Sequence, residues 1–110
     1  MPTDWAAKVR DAITNLEMIN TGRVLEPAKA LAIIDDVVAG KFVAAELATI
    51  HGIPQQWITT TLGQVTRALG TGDRLRSLRA GAWYTFRGLE QPYVVAPGFA
   101  AAWKQARGLS

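Results

Sequence analysis

The chain opens with a pattern of apolar and polar positions that predicts an amphipathic helix. The apolar positions lie four, three, four and three residues apart and form one stripe: Trp5, Val9, Ala12, Leu16 and Ile19. We expect Thr3 to cap this helix, with Asp4 adding favourable charge, and residues 20–22 to end it. The stripe is open to two interpretations: a helix that covers the core, or an arm that pairs two copies of the chain.

A second helix is predicted from near Pro27, with Gly40 as its C-terminal cap. Leu31, Ile34 and Val38 form its core face. Glycine ends a helix at low cost because it tolerates the left-handed cap conformation.

Residues 43–69 predict two helices joined by a tight turn. The longer, second helix carries apolar residues at spacings of four, three and four: Ile58, Leu62, Val65 and Leu69. Between the helices, Gly52 can end the first, and Pro54 is preset for the first turn of the second. Helices joined by so short a turn must pack on their apolar stripes. A plain helical hairpin in a small core would show the same spacing.

This segment resembles the helix-turn-helix of bacterial DNA-binding proteins. The matching residues are Glu46-Leu47-Ala48, Gly52-Ile53, Ile58, Leu62 and Val65. The chain departs from that pattern where Ser or Thr often caps each helix, since Val43 and Pro54 stand there instead.

The segment that follows predicts a β-hairpin. Two runs of strand-like residues, 74–79 and 82–88, flank a turn at Ala80-Gly81. A hairpin directly after the second helix resembles the wing of a winged helix domain, and the resemblance then spans residues 26–88. It implies a short strand over residues 41–43 that pairs with the wing.

The expected fold is therefore mainly α with a small β-hairpin, a winged helix-turn-helix with an additional N-terminal helix and a short C-terminal helix. One domain covers residues 1–110. Residues 1–22 form the first helix, and residues 89–110 form an extension with a short strand at 93–95 and a last helix opened by Pro97. That helix is too short to be stable alone, so it must dock on the domain or on a partner.

Charge is distributed unevenly along the chain. The net charge is +3, yet residues 1–50 carry five Lys and Arg against seven Asp and Glu, and residues 51–110 carry seven against two. The positive excess begins with the second helix of the motif, which suits a polyanionic partner. A soluble protein with uneven surface charge shows the same feature.

The sequence favours a cytoplasmic protein that is not an enzyme. It has no cysteine, no secretory signal and no apolar run long enough to cross a membrane. One histidine cannot form an ordinary zinc site, and no Ser/His/Asp set is credible. Asp35 and Asp36 point about 100° apart around a helix and are expected on a solvated face. His51 is expected to cap its helix or touch a phosphate. We expect no cofactor and no metal.

The face of the motif's second helix opposite the apolar stripe carries amides and hydroxyls where Lys and Glu usually dominate. Gln can bond bidentately to adenine, and Thr can offer its methyl group to thymine. Gly63 removes a side chain where backbone could approach another surface closely. The candidate DNA-binding residues on this helix are Gln55, Gln56, Thr59, Thr60, Gln64 and Arg67. The same neutral face could instead contact a protein.

Arginines on or near the hairpin supply a second set of candidate contacts. Arg74, Arg76, Arg79 and Arg87 could bind phosphates or enter a narrow minor groove. Positive residues on an exposed edge also discourage strand pairing, so solubilising charge is the alternative interpretation.

The leading hypothesis is sequence-specific binding of double-stranded DNA by a small bacterial or phage transcription regulator. A homodimer is expected, built from the terminal elements and their large apolar residues: Trp5, Val9, Leu16, Ile19, Phe99 and Trp103. The alternative is a winged helix used as a protein-interaction module in a replication, packaging or inhibitor complex. A third hypothesis is RNA or non-specific nucleic-acid binding through the arginines alone.

Overall fold

The computed structural model describes residues 4–70 and 77–109, and their fold is mainly helical with one small sheet. The elements are α1 (Trp5–Asn20), α2 (Pro27–Ala39), α3 (Ala44–His51), α4 (Gln55–Leu69), a 3₁₀ turn (Leu78–Ala80), β1 (Tyr84–Thr85), β2 (Val94–Val95) and α5 (Pro97–Arg107). The expected mainly α fold with a small hairpin is confirmed at this level.

The helix ends follow local capping chemistry. Asp4 caps α1 by accepting a hydrogen bond from the backbone N–H of Ala7 at 3.1 Å, whereas Thr3 lies outside the described residues. Gly52 ends α3 in the left-handed conformation, at φ 65°. Val43 has no side-chain oxygen to cap α3, and only the other half of a capping box is present: Glu46 accepts from the Val43 backbone N–H at 3.0 Å.

The core lies where α1 packs against α2, α4 and α5. Val9, Ala12 and Leu16 of α1 are fully buried in one apolar cluster that also takes in Phe99 and Trp103 of α5. Of the two interpretations of the first stripe, the structure therefore supports the helix that covers the core. Of the residues expected to pair two copies, Trp5 and Ile19 are half-exposed and the others are buried inside the chain.

The two terminal helices approach each other closely at Gly98. A Cβ atom there would overlap the indole ring of Trp5. The Trp5 ring also meets Phe99 edge-on, with centroids 5.9 Å apart. Because Gly98 has no side chain, the Trp5 indole can pack directly against α5.

The hairpin differs from the one the sequence predicted. β1 pairs antiparallel with β2, with Tyr84 opposite Val95 and Thr85 opposite Val94. Of the expected partner run 74–79, residues 74–76 lie outside the described residues, and Leu78 and Arg79 belong to the 3₁₀ turn. That turn is favoured because the Ser77 hydroxyl caps it, accepting from the Ala80 N–H at 3.2 Å.

One further expectation of the winged helix pattern is wrong. Residues 41–43 form no strand, so the sheet has no third member among the described residues. β2 lies within residues 89–110, the segment expected as a C-terminal extension, so the sheet joins that segment to β1. Across residues 4–70 and 77–109, no helix has the length and apolar character needed to cross a membrane.

Candidate nucleic-acid interface

One side of α4 is open to solvent and carries mostly uncharged polar residues. Its five exposed residues and the half-exposed Gly63 lie within about 140° of the helix circumference. We call this set the α4 polar face: Gln55, Gln56, Thr59, Thr60, Gly63 and Arg67. Five of the six candidate residues on this helix are therefore placed on one surface.

The opposite side of α4 fixes this orientation. Ile58, Leu62, Val65 and Leu69 are buried in the core, as the sequence predicted. α4 packs on α3 and α1, and Lys8 of α1 donates to the carbonyl of Leu69 at 3.0 Å. A cation at the C-terminal end of a helix is favourable because the last carbonyls are partially negative and otherwise unpaired.

The sixth candidate residue, Gln64, does not lie on the α4 polar face. Its side chain is only 8% exposed, and its Oε1 accepts from Asn20 Nδ2 at 2.9 Å. Its backbone carbonyl also accepts from Asn15 Nδ2 at 3.4 Å. The expectation that Gln64 lies on the exposed face of α4 is wrong, because α1 packs over this side of the helix and buries it.

The hairpin begins beside the C-terminal half of α4. The buried Trp83 donates from its indole N–H to the Thr66 hydroxyl at 3.0 Å. Thr66 in turn donates to the Leu62 carbonyl at 3.0 Å, so its hydroxyl both accepts and donates a hydrogen bond. The Trp83 carbonyl accepts from the backbone N–H of Ala96 at 2.8 Å. These bonds hold the base of the hairpin next to the α4 polar face.

Two of the four hairpin arginines are described, and they share one surface depression. Arg79 and Arg87 are exposed and line an open groove of about 430 Å³. We call it the hairpin groove, and its lining is Ser77, Leu78, Arg79, Thr85, Phe86 and Arg87. Arg74 and Arg76 lie outside the described residues. Sequence analysis did not single out Phe86, whose exposure follows from a strand pairing that the pattern did not reveal.

His51 and Asp36 do not have the roles that the sequence suggested. His51 Nε2 lies 2.7 Å from Asp36 Oδ2, and the histidine side chain is only 9% exposed. Lys29 donates to the carbonyl of His51 at 2.9 Å. These contacts join α2 to the end of α3, so His51 has a structural role at the junction of these two helices.

Asp35 is also engaged and does not lie on a solvated face. It accepts from Trp103 Nε1 at 2.7 Å and from the Arg107 guanidinium at 3.0 and 3.1 Å. The hydrogen bond to Asp35 raises the pKa of Arg107. The signal in the sequence was that both carboxylates flank the buried stripe of α2, where neighbouring helices must pass.

The described residues contain no group of three or more His, Cys, Asp or Glu side chains arranged to hold a metal ion. No protein-family model, curated protein or solved structure matches the chain. The α4 polar face and the hairpin arginines are the surface features that bear on function.

Proposed function

We propose that the chain binds double-stranded DNA in a sequence-specific manner through α4, as a small transcription regulator. The observation that carries this proposal is the composition of the α4 polar face. It presents amides and hydroxyls over its first two turns, and its one charge, Arg67, lies near its C-terminal end. Side chains of this kind read base edges, whereas a purely electrostatic surface would be rich in Lys and Arg.

The N-terminal turn of α4 is the part best placed to read bases. In helix-turn-helix complexes the first residues of the second helix contact base edges in the major groove. Gln55 and Gln56 are both exposed at this end, and each amide offers a donor and an acceptor to adenine. Thr60 already donates its hydroxyl proton to the Gln56 carbonyl at 3.1 Å, which leaves its methyl group for contact with thymine.

The arginines supply affinity that does not depend on sequence. Arg67 on α4 and Arg79 and Arg87 on the hairpin groove are exposed, and phosphate contacts from such residues set the register of a protein on a duplex. We include Arg74 and Arg76 among the proposed phosphate contacts because of their positions in the sequence.

The test begins with selection of a preferred site from a random duplex library. Gln56→Ala should then cost about 1–3 kcal/mol on the preferred duplex and little on random duplex, because it removes a base contact and no charge. Gln105→Ala is the matched control, since Gln105 is an exposed glutamine on α5, away from the interface. Circular dichroism should show both variants folded.

The interaction-module hypothesis predicts the opposite pattern. If no preferred site emerges and Gln56→Ala binds every duplex as the parent does, the α4 polar face does not read DNA. Loss of a protein partner in that variant would then favour the second hypothesis.

Pairing of two copies on DNA stays a prediction with its own readout. A two-fold symmetric site with half-sites about 10 base pairs apart would support it. The surface that pairs the copies would have to lie outside the buried stripe of α1.

A further inference from the structure

The hairpin groove has the dimensions of a ligand site. Its volume of about 430 Å³ falls within the range of about 300–1,000 Å³ that small-molecule sites span. Its lining combines two apolar side chains, Leu78 and Phe86, with two hydroxyls and two guanidinium groups. Such a mixture suits a ligand that is planar and apolar at one end and anionic at the other.

Phe86 gives the groove an aromatic surface that the fold leaves open. The side chain is 55% exposed, although its ring contacts the Tyr93 ring with centroids 5.8 Å apart. Tyr93 is itself buried and meets Tyr84 edge-on at 5.6 Å. Because Tyr93 restricts the Phe86 ring, stacking a planar group on the exposed part of that ring loses little conformational entropy.

Two positive charges lie beside Phe86. Within the part of the chain that the structure describes, neither Arg79 nor Arg87 forms an ion pair. Glu90, in the loop between β1 and β2, does not line the groove. The Thr85 hydroxyl is buried and has no hydrogen-bond partner among the described residues, which is uncommon for a buried polar group. The groove thus offers two cations next to an aromatic ring.

We infer that the hairpin groove binds an unpaired nucleotide of a single-stranded nucleic acid. The base stacks on Phe86, and Arg79 and Arg87 bind the adjoining phosphates. Stacking on an aromatic side chain requires a base whose face is free, and in a duplex both faces are covered by neighbouring base pairs. This activity goes beyond the proposed reading of duplex DNA, because it uses neither Gln55 nor Gln56.

The first experiment measures binding of a fluorescent oligothymidylate to the full chain by anisotropy. Loss of one stacked base corresponds to about 5- to 150-fold in affinity, so Phe86→Leu should weaken binding at least about fivefold. Phe86→Tyr should retain the parent affinity because it keeps the aromatic face. Leu89→Ala is the matched control, since Leu89 is 68% exposed in the same loop but lies outside the groove.

A strand with abasic positions separates stacking from charge. The parent should bind it less tightly than oligothymidylate, and Phe86→Leu should cause no further loss on the abasic strand. Arg79→Gln and Arg87→Gln should each lower the slope of log affinity against log salt by about 0.7. Equal affinity of the parent for both strands, or equal losses in Phe86→Leu and Leu89→Ala, would overturn the proposal.

A closed duplex without free ends distinguishes this site from the α4 polar face. Phe86→Leu should bind it as the parent does, while Gln56→Ala should bind oligothymidylate as the parent does. A loss in Phe86→Leu on duplex as large as that on the single strand would overturn the proposal, and would point to an apolar wedge between paired bases. Failure of Gln56→Ala to affect duplex binding bears only on the proposed function.

Discussion

Asn20 Nδ2 donates to Gln64 Oε1 at 2.9 Å in the interior between α1 and α4. The same amide nitrogen also donates to the Leu16 carbonyl at 2.9 Å. Both side chains are nearly inaccessible, at 2% and 8% exposed. The bond ties the C-terminal end of α1 to the middle of α4. A shift of α1 along α4 would separate the two amides and leave buried polar groups unpaired, so the pair fixes which side of α4 faces solvent.

Gln64→Ala should therefore destabilise the fold and leave the interface chemistry intact. Removing the acceptor of a buried hydrogen bond costs about 1–3 kcal/mol of unfolding free energy. Urea unfolding measures this directly. Gln56→Ala is the control, because it removes an exposed amide from the same helix and should change stability by less than about 0.5 kcal/mol.

A double-mutant cycle with Asn20→Ala completes the test. If the two amides act as a pair, their coupling energy should lie in the range of about 0.5–3 kcal/mol. A Gln64→Ala chain with parental stability but reduced DNA affinity would restore Gln64 to the interface.

The helices were predictable from the sequence because their signals are local. The apolar stripe from Ile58 to Leu69, and the glycines Gly40 and Gly52, define helical faces and ends without reference to any other segment. The orientation of Gln64 was not predictable in this way. It lies at the margin of the α4 polar face, and only the packing of α1 decides that it is buried.

The strand pairing of the hairpin was likewise not predictable from local sequence signals. Tyr84 and Thr85 were correctly expected in a strand, but residues 74–79 were expected to pair with them. Two strands of two residues each carry too little periodicity to specify a register. The choice of Val94 and Val95 as partners follows from the docking of α5 and the bonds of Trp83, which are tertiary contacts. The exposure of Phe86 and the groove beside it depend on that choice.

Gly98→Ala should destabilise the fold through a steric conflict with Trp5. A Cβ at this position overlaps the Trp5 indole, and overpacking of this kind typically costs about 1–3 kcal/mol. The thermal midpoint should fall accordingly. Gly63→Ala is the matched control on α4, because a Cβ there meets no atom within 4 Å. Since Ala is the better helix former, Gly63→Ala should be neutral or stabilising by up to about 1 kcal/mol.

Comparison of Gly98→Ala with Gly63→Ala separates the steric effect of the added Cβ from its effect on helix propensity. A chain in which Gly98→Ala is as well tolerated as Gly63→Ala would show that α1 can move away from α5 without loss. Trp5→Ala combined with Gly98→Ala should lose less stability than the two single effects added together, because the overlap is then relieved.

Asp35→Ala should be more destabilising than Arg107→Ala. The first change leaves both the buried Trp103 indole N–H and the Arg107 guanidinium without their acceptor, whereas the second leaves the bond from Trp103 to Asp35 in place. Hydrogen bonds to charged groups contribute about 1.5–3 kcal/mol. Chemical unfolding of the two variants would measure the difference, and equal losses would contradict the role assigned to Trp103.

The free energy of unfolding should fall at alkaline pH because the Tyr93 phenol ionises more readily in the unfolded chain. Burial, with a smaller contribution from Tyr84, raises the pKa of Tyr93 above its ordinary value of 10.0. The unfolded chain therefore loses this proton at lower pH than the folded chain. The stabilising contribution is complete below pH 10.0 and is lost as pH rises through the folded-state pKa. Tyr93→Phe should flatten the decline in unfolding free energy above about pH 10. A parental slope in that variant would assign the decline to other groups.

The salt dependence of duplex binding should locate the phosphate contacts. Each arginine that neutralises a phosphate contributes about 0.9 to the slope of log affinity against log salt. We expect Arg67→Gln, Arg79→Gln and Arg87→Gln to lower the slope by about that amount each, and to weaken all duplex sequences about equally. Arg23→Gln is the matched control, because Arg23 is an exposed arginine in the connection between α1 and α2.

The control also guards against a simple net-charge effect, since every one of these variants loses the same unit of charge. If Arg23→Gln lowers the slope as much as Arg79→Gln does, the attraction is spread over the whole surface, and no interface has been located. If only Arg67→Gln lowers it, the duplex contacts α4 without the hairpin. Gln56→Ala should leave the slope unchanged on every duplex, because an amide releases no counterion; this separates the residues that hold the backbone from those that read bases.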